Sequence, residues 1–129
     1  MKTLLLDPAL QGLTKIDNIA MVLIGDFNIP SNSKWYNQIT ELFAARDLHA
    51  EFCKNVRRPE EATYSSENSL VLWNDADQRI DYCWAIDRLD DYELMKLDVV
   101  DLDVLKQARG EELSDHWAQL FTVVPRPSK

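Results

Sequence analysis

The sequence predicts a mixed α/β (α+β) layered sandwich, and three observations lead there. A continuous apolar run, Ala20-Met21-Val22-Leu23-Ile24, ends at Gly25 and reads as a strand buried on both faces. Residues 79–87 alternate, with Ile80, Tyr82, Trp84 and Ile86 on one face of a strand. Between these two segments, Trp35, Ile39, Leu42 and Phe43 recur at helical spacing. Some strands follow one another without a helix between them, and others are separated by helices, which suits layers of both kinds.

The elements follow in chain order. Residues 2–13 carry Leu5, Leu6, Ala9, Leu10 and Leu13 at helical spacing and predict a short opening helix, with Pro8 tolerated only near its start. The apolar run at 20–24 is the first strand, and Asp26-Phe27-Asn28-Ile29-Pro30 is the loop that leaves it. Ser31 or Ser33 caps a helix that runs to about residue 46. Residues 48–53 predict a short strand, 57–68 a polar loop, 69–73 a further strand and 74–77 a turn. Strands at 79–87 and 92–100 come next. Asp103 reads as the N-cap of a short helix over 104–109, stopped by Gly110. Residues 118–124 form the closing strand. No repeat, linker or low-complexity tract interrupts this order, so 1–129 reads as one domain.

Composition narrows the class. A chain of 129 residues suffices for one domain with a core. With 46% hydrophobic residues and four tryptophans, it belongs with folded rather than disordered chains. A net charge of -8, with Arg57-Arg58 as the basic pair, disfavours a nucleic-acid backbone as partner, duplex DNA above all. Cys53 and Cys83 lie far apart without metal-ligand spacing, which fits a reducing compartment better than a disulfide framework. The three-leucine run near the start is too short for a signal-peptide core or a membrane span. The expectation is a cytoplasmic protein with no membrane span.

Three short segments put polar groups at strand ends, where a rigid sheet commonly presents catalytic residues. They are Gly25-Asp26-Phe27-Asn28, Arg79-Ile80-Asp81-Tyr82 and Ser114-Asp115-His116. Together they suit hydrolysis of a phosphate ester. Carboxylates hold a hard cation such as magnesium, a histidine oriented by a carboxylate moves a proton or stabilises charge, and an asparagine amide donates to a phosphate oxygen. Each segment alone has a plainer reading. Gly-Asp-x-Asn is more often a turn, Asp81 an exposed strand residue and Ser-Asp-His a cap. Asp98, Asp101 and Asp103 read as a solvated edge with a capping Asp103 rather than a metal cluster. His49 receives no function, and Trp35, Phe43, Trp84 and Phe121 are core.

In order along the chain, the segments carry more. Val22-Leu23-Ile24-Gly25-Asp26-Phe27-Asn28-Ile29-Pro30, a helix, Thr63, Gln78-Arg79-Ile80-Asp81-Tyr82, and Leu113-Ser114-Asp115-His116 before a last strand resemble the endonuclease/exonuclease/phosphatase superfamily. That superfamily includes DNase I-like nucleases, exonuclease III-type enzymes, inositol polyphosphate 5-phosphatases and neutral sphingomyelinases. The resemblance runs from about Met21 to Val124 and covers only the carboxy-terminal half of the family's domain. It implies half of a DNase I-like four-layer fold, with one mixed or antiparallel sheet and flanking helices. The implied function is that of a magnesium-dependent phosphoester hydrolase, a phosphodiesterase or nuclease-like fragment that is catalytically incomplete alone.

By the same resemblance, Asp26 orients or activates the attacking water and Asn28 contacts the scissile phosphate. Asp81 pairs with the ring of His116, which acts as base or transition-state stabiliser. Asp115 helps hold the metal, and Thr63 lies near the substrate. The family's early Asn and its metal-binding Glu have no counterpart here, so Mg2+ (or Mn2+) is expected to be held weakly. The inner sheet face would then lack its partner, and a homodimer or a separate amino-terminal half is expected to cover it. The other reading is a non-catalytic half-domain that serves binding or assembly.

Overall fold

A computed structural model of the chain describes residues 19–72 and 76–126. Along it run β1 (Met21–Asp26), α1 (Lys34–Leu42), β2 (Ala45–Asp47), α2 (Leu48–Val56), β3 (Asp81–Ile86), β4 (Arg88–Leu89), β5 (Tyr92–Glu93), β6 (Lys96–Leu105) and β7 (Ala118–Arg126). The helix expected over 2–13 lies outside the described residues.

β3 is the centre of the arrangement. β1 pairs antiparallel along one edge, from Met21 opposite Ile86 to Asp26 opposite Asp81. β2 pairs along the other, from Ala45 opposite Ile86 to Asp47 opposite Trp84. The alternation read from the sequence assigns one buried face to this strand, but the structure buries both. Tyr82, Trp84 and Ile86 pack under α1 with Tyr36, Ile39, Phe27 and Phe43. Cys83 and Ala85, small enough to admit a close helix, pack against Leu48, Phe52 and Cys53 of α2 and Leu97, Val99 and Leu102 of β6. Burying side chains such as Leu48, Ile86 and Leu102 contributes about 1.5–3 kcal/mol each.

The remaining strands form two antiparallel ribbons, β4–β5 and β6–β7. The class is thus mixed α and β, with three small antiparallel sheets among the described residues where one sheet was expected.

Three local expectations are corrected. The short strand at 48–53 is helix α2. Asp47 caps it by accepting the backbone N–H groups of His49 and Ala50, and Arg57 ends it in a left-handed conformation, φ 55°. The helix at 104–109 is not formed, because β6 continues to Leu105 and Asp103 pairs with Leu120 across the ribbon. Residues 69–72 are turns and irregular chain rather than strand. The Asn68 side chain accepts the N–H of Leu70, and the Asn68 carbonyl accepts that of Val71, which holds the backbone in a turn.

Cys53 and Cys83 are free and buried on facing elements of one core. Burial first, and then the charge of Asp47, pushes the Cys83 thiol up to about 11. Among the described residues, no helix is long and apolar enough to cross a membrane.

Candidate active site

Three backbone arrangements bring the separated motifs together. The β1–β3 ladder runs to its end, so Asp26 and Asp81 sit opposite each other, and the N–H of Phe27 continues the ladder to the Ile80 carbonyl at 3.0 Å. Gly25 has φ 150°, a backbone conformation that side-chain-bearing residues rarely adopt, so the exit from β1 is built for glycine. Tyr64 bridges two segments at once, Gln78 on one side and His116 on the other, and the Trp117 N–H reaches the Thr63 carbonyl at 2.7 Å. The loop before His116 is tied from below. The Asn68 side chain donates to the Ser114 carbonyl at 2.8 Å, and Ser69 bonds Glu112 through both its backbone N–H and its hydroxyl.

The result is a compact constellation of Asp26, Asp81 and His116. His116 Nδ1–H donates to Asp81 Oδ2 at 2.8 Å. With Nδ1 committed, Nε2 is the atom left for chemistry, and it lies 3.9 Å from Asp26 Oδ2. One ligand atom from each of the three residues lies within 4.8 Å of the others. The Tyr64 ring packs 5.4 Å from the imidazole. The group borders a cleft of about 340 Å³, whose apolar wall includes Ile24, Trp117 and Phe121. Partial burial works against the charged form of His116. The hydrogen bond and charge of Asp81, with Asp26 and Asp115 behind it, outweigh that effect and place its pKa above the ordinary histidine value.

The other expected residues stand differently. Asn28 is exposed, with φ 51°, and its backbone N–H donates to Asp26 Oδ1 at 2.7 Å. It therefore orients Asp26 through a local turn. Asp115 is exposed, its carboxylate 3.5 Å from the Ser114 hydroxyl, and it is not one of the three grouped residues. Thr63 is fully buried, so the expected substrate contact has no surface to rest on. Its hydroxyl instead accepts the N–H groups of Ile80 and Asp81 at 3.1 and 3.2 Å, which fixes the start of β3.

Sequence reasoning missed several residues that place this site. The Tyr82 hydroxyl lies 2.5 Å from the Ile29 carbonyl and 2.7 Å from that of Arg79, which pins the loop after β1 to β3. Tyr64 and Asn68 sit in a polar loop that gives no periodic signal. Gln119 did leave a signal, because it shares the inward positions of β7 with Phe121 and Val123 and is the polar member of that set.

Magnesium takes oxygen ligands and is usually held by one or two carboxylates, completed by water and substrate phosphate. Asp26 Oδ2 fits that demand, since Asn28 occupies only Oδ1. Asp81 Oδ2 is already bound to His116, and the cluster contains no glutamate. The donor set thus suits a loosely held cation that shares its shell with substrate. No protein-family model, curated protein or solved structure matches the chain.

Proposed function

We propose that this chain carries the histidine-bearing half of a magnesium-dependent phosphoester hydrolase site of the endonuclease/exonuclease/phosphatase type. The observation that supports this reading best is the Asp81–His116 hydrogen bond of 2.8 Å, with His116 Nε2 facing Asp26 across the end of the β1–β3 ladder. Residues from three distant segments meet in the pairing that the resemblance implies.

In the proposed reaction, the substrate phosphoryl group lies in the cleft beside Nε2. Asp81 holds the imidazole in one orientation and stabilises its charged form, so His116 donates a hydrogen bond to a phosphoryl oxygen as negative charge develops there. The raised pKa of His116 favours this stabilising role over that of a neutral base. Asp26, its carboxylate turned by the Asn28 N–H, orients the attacking water with Oδ2. Asp26, with Asp115 on the adjacent loop, would hold Mg2+, which when bound supplies neutralisation of phosphoryl charge.

A second observation bears on completeness. Val22 and Ile24 expose 46% and 67% of their surface on β1, which is the edge strand of its sheet among the described residues. An exposed apolar edge of this kind favours association. We assign it to a second copy of the chain or a separately encoded half, which would also supply further metal ligands. If the site cannot be completed in this way, the module reads as a non-catalytic assembly half.

The test is Mg2+-dependent hydrolysis of an aryl phosphodiester by the purified chain beside His116→Ala and Asp26→Ala. Metal-dependent activity lost in both variants supports the reading. Activity that persists in both rejects this site.

A further inference from the structure

His49 lies fully buried on α2, and nothing in the proposed chemistry uses it. Its Nε2 accepts the backbone N–H of Glu61 at 3.0 Å. That bond leaves Nε2 without a proton, so the neutral ring carries its proton on Nδ1. Nδ1–H donates to Gln119 Oε1 at 2.6 Å. An amide whose oxygen is held in this way presents its nitrogen to the opposite side, and Gln119 Nε2 donates to the Asp81 backbone carbonyl at 2.9 Å. Asp81 Oδ2 then accepts from His116 Nδ1–H. Each link fixes the direction of the next, from the buried helix to the rim of the cleft. The Asp81 backbone is held at both ends, its N–H by the Thr63 hydroxyl and its carbonyl by Gln119.

We infer that Gln119 is a positioning residue for the Asp81–His116 pair, and that His49 in turn fixes the orientation of the Gln119 amide. Burial, acting against the raising effect of the Gln119 hydrogen bond, lowers the pKa of His49 and keeps its ring neutral. A second ring proton would meet the Glu61 N–H head-on. The effect on rate rests on the hydrolase reading, whereas the hydrogen-bond chain does not.

The test uses the full chain, isotopically labelled, with the His116 ring nitrogens followed by NMR and hydrolysis of an aryl phosphodiester measured in parallel. Gln119→Met removes both amide bonds at similar volume. His49→Asn keeps a donor near the Nδ1 position, whereas His49→Gln offers an acceptor to the Glu61 N–H but no donor to Gln119. The expected result is that Gln119→Met and His49→Gln shift the His116 Nδ1 signal, while His49→Asn leaves it in place. In the first two, kcat falls about ten- to a hundredfold with KM unchanged, as for other partners that orient a reacting group. His116 signals that stay fixed in Gln119→Met and His49→Gln, or that move equally in both His49 variants, overturn the inference. Absence of hydrolysis by the unaltered chain would show that the hydrolase site is not completed by this chain and would leave the relay to be decided by the ring signals.

Discussion

Asp81 answers to four partners: the Thr63 hydroxyl at its N–H, Gln119 at its carbonyl, His116 at its carboxylate and Asp26 as its neighbour across the ladder. A group so constrained can orient a ring, and its loss should appear in rate before stability. Asp81→Asn is expected to lower hydrolysis by about 10²- to 10³-fold, the usual worth of a preorganised donor aimed at developing charge, with an unchanged thermal midpoint. Loss of the fold in that variant would assign Asp81 a structural role instead. The two histidines respond to pH in opposite senses. His49 has a lowered pKa, so the stability of its neutral ring is fully present above about pH 6.5 and is lost as pH falls through its folded value. His116 has a raised pKa, so its contribution is present at low pH and is lost as pH rises. Urea midpoints across pH 5 to 8 should therefore show an acid-side decline that His49→Asn flattens, although Asp47, Arg79 and Glu60 also face that ring. Asp26, Asp81 and His116 could be singled out in the sequence because each lies at an end of an apolar strand, Asp26 closing β1, Asp81 opening β3 and His116 preceding β7, in a fixed order. The buried Thr63 could not be distinguished from a substrate contact, because a hydroxyl that binds backbone and one that binds phosphate look alike in sequence.

Helix α2 and strand β6 show where element boundaries hide. Leu48, Phe52 and Cys53 form a helical stripe only if Asp47 begins the element, and the capping role of Asp47 shows only once its side chain is seen to accept two N–H groups. In β6, the register shifts between Val99 and Asp101. Leu97 and Val99 point inward before the bulge, and Leu102 points inward after it. One long strand therefore reads as a strand followed by something else. Asp47 also ties elements together. Its carboxylate accepts from the Tyr36 hydroxyl at 2.7 Å and pairs with buried Arg79 at 2.7 Å, and Arg79 in turn meets Glu60 at 2.5 Å and lies over the Tyr82 ring. Asp47→Ala removes a cap and leaves the buried Arg79 guanidinium with the partly exposed Glu60 as its remaining carboxylate partner. It is expected to destabilise the fold by about 3–5 kcal/mol, measured by urea denaturation. A change below about 1 kcal/mol, the range of an exposed pair, would show that water reaches Arg79.

For the molecule as a whole, the side of β1 that has no strand partner among the described residues, with its exposed Val22 and Ile24, is expected to set the behaviour in solution. Light scattering over a wide concentration range is expected to show association, and Ile24→Lys, which puts a charge on that edge, is expected to reduce it. A monomer at all concentrations would remove the case for a second copy. The mixed α and β class was legible because the strand alternation of β3 and the helical spacing of α1 survive, whereas β1, read from a continuous apolar run as buried on both faces, is a strand whose Val22, Leu23 and Ile24 are exposed. The division into three sheets was not legible, because pairing partners follow from long-range contacts that periodicity does not encode. The same central strand also carries a built-in reporter. Cys83 is enclosed between α2 and the β6–β7 ribbon, with its thiol held protonated up to about pH 11. Attack on a thiol reagent needs the thiolate, so labelling of Cys83 at neutral pH waits for the two halves of the core to part. The modification rate of this cysteine, followed over hours by mass spectrometry, therefore acts as a clock for opening at the middle of the sheet.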